Sequence, residues 1–114
     1  MLTDDHKAAI RAMLGTGVKP ADLTALSHAP HGLMKASDWR CVREATAALQ
    51  IIATGREEAK VLALRDLGQL AKGRAPGAAA TRAYLALAIS DFEAAMTLSS
   101  DQRRLQDAAA DQAS

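Results

Sequence analysis

Almost nothing in this chain can build a sheet, a disulfide or a zinc cluster. Aromatic residues amount to 3%, one each of Trp, Tyr and Phe, and three valines with four isoleucines are the only β-branched aliphatics. Half-buried pleated surfaces depend on those residue types, so strand is not expected. The one cysteine, Cys41, excludes an internal disulfide and any zinc site built on cysteine pairs. No apolar run approaches the roughly 18 residues that a membrane-spanning helix needs. Met1 to Asp5 lacks the basic-then-apolar order of a signal peptide. A cytoplasmic, bacterial-type setting with no membrane partner is the expectation. Charge of one sign is missing too: 14 Lys and Arg stand against 13 Asp and Glu, a net charge of +1. No long-range field selects nucleic acid, an anionic surface or an acidic partner.

Against these absences stand 27 alanines and 14 leucines, residues that enter helices at little cost. A length of 114 residues, 49% apolar and 24% charged, suits one folded domain. The expected fold is all-α, a small helical bundle of five to six helices. In it an N-terminal short-helix unit (1–36) precedes an antiparallel bundle of three longer helices (37–107), and a polar tail (108–114) frays. Alanine buries few methylenes, each worth about 0.8 kcal/mol. Either the helices approach closely, or the core is completed by a second copy or a partner, most commonly as an isologous dimer.

The clearest long helix lies at Trp39 to Ile52. There Trp39, Val42, Thr46, Leu49 and Ile52 recur at three- and four-residue spacing while Arg40, Arg43, Glu44 and Gln50 fall off the stripe. The other elements are placed around it, with Ser37 as its cap and Ala53 near its end. Upstream, Thr3 caps a helix that opens on Asp4 and Asp5 and buries Ile10, Met13 and Leu14, before Gly15 to Gly17 stops it. A short second helix over 18–28, with Pro20 in its first turn and Leu23 and Leu26 inward, ends at the breakers Ala29 to Gly32. Leu33 to Lys35 then make a turn or a brief helix.

Downstream, Thr54 and Glu57 frame a capping box for a helix over 55–71. Its buried side is Val61, Leu64, Leu67, Gly68 and Ala71, widened by Leu62 and Leu70, and the tight link folds it back antiparallel on the long helix. After Lys72 to Gly77, one further helix is expected from Ala78 to Leu98. Leu85, Ile89, Phe92 and Met96 form its stripe, and Ala79, Ala83, Ala86 and Ala88 thin its first half for a close neighbour. Ser99 to Gln102 offers another capping box, so 101–110 is either a final helix or a continuation.

Candidate chemistry is sparse. His28, His31, Asp38 and Cys41 lie close in sequence, but two histidines spaced three apart across a proline-containing turn do not match a usual zinc spacing; no metal and no cofactor is expected. Cys41 sits mid-helix on a packing face, where a thiol is inert. The pairs Asp4/Asp5 and Glu57/Glu58 each open a helix, where negative charge stabilises without catalysis. No catalytic residue is assigned, and the chain is expected to be non-enzymatic. Arg56, Lys60, Arg65, Lys72, Arg74 and Arg82 outnumber Glu57, Glu58 and Asp66 and read as a solvated helix face.

Leu23, the break from His28 to Pro30, and Met34 give residues 18–35 the outline of a helix-turn-helix. They resemble that motif, although Thr24 and His28 stand where it usually has Ala and Gly. The resemblance implies a small accessory DNA-binding protein of phage or plasmid type with a helical oligomerisation region, in which Lys35, Arg40 and Arg43 would meet phosphates. Ala88 to Asp101 resembles the second helix of a tetratricopeptide repeat, and Leu64 with Leu67 and Gly68 the first. The separation of Gly68 from Ala88 departs from the roughly 34-residue period; the match would imply peptide binding in a groove. The first expectation is an adaptor or regulatory protein acting by protein–protein contact, as a homo-oligomer or on a protein partner. Its exposed apolar stripe would be drawn from Trp39, Val42, Leu85, Ile89, Phe92 and Met96. Trp39 and Phe92 would anchor it, since large aromatics dominate contact energy at interfaces. Nucleic acid is the alternative partner.

Overall fold

The computed structural model describes residues 2–14, 19, 22 and 34–113. Among the described residues there are five helices and no strand: α1 (Asp4–Leu14), α2 (Ala36–Thr54), α3 (Glu57–Leu70), α4 (Ala78–Ser90) and α5 (Phe92–Ala113). The chain is an all-α bundle. Apart from Lys19 and Asp22, the expected second helix, and with it most of the helix-turn-helix outline, lies outside the described residues.

The centre of the bundle is α4, not the Trp39 to Ile52 stretch of α2. Apart from Thr81, Arg82 and Ser90 its sequence is apolar, which suits a helix enclosed by others. Ala80, Thr81, Ala83, Tyr84, Leu85 and Ala88 are all fully buried, and α1, α2 and α5 pack around them. Alanine makes this possible, because a helix without long side chains lets its neighbours approach at close range. The thin core is thus closed within the chain. The radius of gyration, 13.7 Å, is close to the roughly 13 Å of a compact domain of this length. α2 and α3 form the antiparallel hairpin expected from their short link, and α3 lies on the outside, in substantial contact with α2 and α1 alone.

Several local expectations are corrected. Ser37 does not cap α2; Lys35 occupies the cap position in extended conformation and Ser37 is already in the first turn. The approach to α2 is held from a distance instead: the Met34 N–H donates to Gln102 Oε1 at 3.2 Å, and Gln106 Nε2 donates to the Met34 carbonyl at 3.3 Å. The Thr54–Glu57 capping box does not form either. The Gly55 N–H closes α2 on the Ile51 carbonyl, which keeps Thr54 inside that helix, where its hydroxyl donates back to the Gln50 carbonyl at 2.7 Å. Thr3 does cap α1, accepting from the His6 N–H at 3.2 Å.

The helix expected to run unbroken from Ala78 to Leu98 divides at Asp91. That residue leaves helical geometry (φ −155°, ψ 93°), its N–H ends α4 on the Leu87 carbonyl, and its Oδ1 accepts the Ala94 N–H at 3.1 Å to open α5. Leu85 and Ile89 therefore belong to one helix, Phe92 and Met96 to the next, and no single stripe joins them. The stretch likened to a repeat helix, 88–101, spans this break. α5 then continues through Ser99 to Gln102 without a second start.

The link between α3 and α4 is built on two residues. Arg82 Nη1 donates to the carbonyls of Ala71 and Gly73, both at 2.9 Å, so the cation sits at the negative end of α3 and is not part of a solvated face. Gly77 has φ 88°, and a Cβ there would meet Cys41 Cβ and the Ser37 carbonyl at 2.9 Å. Only glycine satisfies both conditions.

Candidate functional site

The residues expected to form an exposed apolar stripe are largely interior. Val42 and Leu85 are fully buried and Trp39 is 8% exposed, while Ile89, Phe92 and Met96 are half-buried against the core. As parts of an exposed stripe, Trp39, Val42 and Leu85 are corrected, and Trp39 with them as an anchor: they are buried where α2, α4 and α5 pack on one another. The three cations considered for phosphate contact, Lys35, Arg40 and Arg43, are exposed.

Inside the bundle, hydroxyls converge where α2, α4 and α5 meet. The Tyr84 O–H donates to the Ala95 carbonyl at 3.0 Å, the Thr46 hydroxyl lies 2.8 Å from Tyr84 Oη, and Ser99 Oγ lies 3.1 Å from Thr46. Burial pushes the Tyr84 phenol up to about 12, with the hydrogen bonds from Thr46 and Ser99 pulling the other way. A phenol this hard to ionise, with its proton committed to a backbone carbonyl, is a structural group. Cys41 is similar. Burial, then Glu44 and Asp38, hold its thiol above the usual range, against a smaller opposing effect of Arg40, and it donates to the Pro76 carbonyl at 3.6 Å. Thiolate chemistry is disfavoured there. Among the described residues no group of three His, Cys, Asp or Glu is placed to hold a metal ion; His28 and His31 lie outside them. No described helix is long and apolar enough to cross a membrane.

The two most exposed large apolar side chains among the described residues are on α3, ahead of Ile51 on α2 and Leu105 on α5. Leu67 and Ala71 are buried as expected, joined by Ala63, but Val61 is 65% exposed and Leu62 60%, which corrects their assignment to the buried side. A groove runs along each flank of α3. One, of about 450 Å³, lies against α2 and is lined by Ala47, Ala48, Ile51 and Leu70 together with Glu44, Asp66 and Gln69. The other, of about 500 Å³, lies against α1 and is lined by Thr3, Asp5, His6 and Ala9 on one side and by Val61, Leu64 and the Lys60–Glu57 ion pair on the other. Ile51, 42% exposed, extends the apolar strip towards α2.

Sequence reasoning missed this face because it assumed that every leucine in the stripe would find cover. The signal was present: Val61, Leu62, Leu64, Leu67 and Leu70 spread over more of the helix circumference than two neighbouring helices can bury.

A third groove, of about 260 Å³, separates α2 from α5 and is lined by Trp39, Arg43, Thr46, Met96, Ser99 and Arg103, among others. The ion pairs among the described residues are Lys60–Glu57 and Arg104–Asp101, so Arg43 and Arg103 reach this groove without a carboxylate partner. Comparison of the chain with family models, with curated proteins and with solved structures gives no match.

Proposed function

We propose that this chain is a non-enzymatic adaptor or regulatory protein that acts by protein–protein contact, docking through the outer face of α3. The observation that carries the reading is the adjacent pair Val61 and Leu62, left open to solvent between two grooves on a helix whose opposite side is buried. Each such side chain gains about 1.5 to 3 kcal/mol on full burial, enough for a few of them to hold a contact together. An exposed apolar face of this kind marks an interaction site. The silenced Tyr84 phenol and Cys41 thiol support a role without catalysis. A photo-reactive residue placed at Leu62, in the source cell, tests the reading. An adduct with a protein, absent when the same residue replaces the exposed Arg103, agrees with it; no adduct at Leu62 refutes it.

A second reading, contact with nucleic-acid phosphates, is favoured by the exposure of Lys35, Arg40 and Arg43 and by the two arginines of the α2–α5 groove. Low-salt mobility shift with duplex DNA, lost on Lys35→Ala with Arg40→Ala, would support it.

A further inference from the structure

The exposed residues of α3 are Glu57, Glu58, Val61, Leu62, Arg65, Asp66 and Gln69. Four of them, Glu58, Val61, Leu62 and Arg65, fall at three- and four-residue steps and share one face. The acid lies one turn before the apolar pair and the base one turn after it. Neither Glu58 nor Arg65 is in an ion pair among the described residues. The pattern is its own complement. Rotated half a turn about an axis passing between Val61 and Leu62, the helix presents Arg65 where Glu58 was and Glu58 where Arg65 was. We propose that α3 pairs antiparallel with α3 of a second copy about that axis, Val61 and Leu62 packing on their counterparts and Glu58 meeting the partner's Arg65 at both ends.

Gly68 lies one turn beyond Arg65, and among the described residues a Cβ built on it meets nothing within 4 Å. The half-turn sets it opposite position 55 of the second copy, ahead of that copy's α3, so it lies outside the pairing. The net charge of +1 leaves two copies without mutual repulsion. An isologous contact of this kind closes on itself as a dimer and leaves no free end to propagate.

This inference rests on the docking role of α3 and names the occupant. Its test is the self-association constant from sedimentation equilibrium of wild type, Glu58→Arg, Arg65→Glu and the double swap. Each single reversal places like charges opposite each other at both ends of the contact and should weaken the dimer roughly tenfold, less at high salt. The double swap should restore it. Equal association in all four proteins, or a double swap as weak as the singles, overturns the pairing. A wild type that stays single also overturns it, and the photo-adduct at Leu62 then decides separately whether the face serves another protein.

Discussion

Tyr84 holds its hydroxyl where three helices meet, and the cost of ionising it there links stability to pH. The unfolded phenol loses its proton near 10 and the folded one at about 12. A raised folded value means that the neutral form is the one the fold favours. The contribution is therefore complete below about pH 10 and is lost as pH rises towards 12, a change of roughly 2 to 3 kcal/mol. Urea denaturation of wild type against Tyr84→Phe across that range should show the difference; as Tyr84 is the sole tyrosine, its absorbance titration reads the same shift. At Gly77, alanine would have to adopt positive φ and also press on Cys41 and Ser37. Gly77→Ala is expected to cost about 2 kcal/mol or more by thermal or chemical denaturation. Little at this scale was legible beforehand. Tyr84 and Arg82 gave no pattern of their own, because their partners, Thr46, Ser99, Ala71 and Gly73, are brought to them by tertiary contact.

α3 shows what the sequence could and could not reveal about an element. Its existence, its antiparallel return on α2 and the burial of Leu67 and Ala71 follow from periodicity and a short link, which depend on local spacing alone. Which part of a wide apolar stripe remains open depends on how many helices arrive, and periodicity does not contain that number. Helix ends failed for a related reason: Ser37 and Thr54 had the residue types of caps, yet the chain turned one or two residues away from them. The break at Asp91 was legible in principle, since an acid followed by Phe92 and Glu93 is a reasonable helix start, but the regular spacing from Leu85 to Met96 concealed it. Gly68 carries a prediction at this scale. Because its Cβ would meet nothing among the described residues, Gly68→Ala should stabilise the chain by about 0.5 to 1 kcal/mol in urea denaturation.

For the molecule as a whole, composition spoke correctly about class and incompletely about consequence. A chain with 27 alanines does fold as an all-α bundle, but alanine did not leave the interior short of partners. It let α1, α2 and α5 close around α4, taking Trp39, Val42 and Leu85 inside, and moved the apolar surplus to the outermost helix. The self-association we propose therefore rests on the outer face of α3, where Val61 and Leu62 stand open between Glu58 and Arg65. The most direct test is the native mass by light scattering at micromolar concentration, for wild type and for Val61→Asp with Leu62→Asp. The account predicts two copies for the wild type and one folded copy for the double variant, the exposed positions leaving helix content unchanged. A wild type of one copy, or a double variant that remains a dimer, would contradict it.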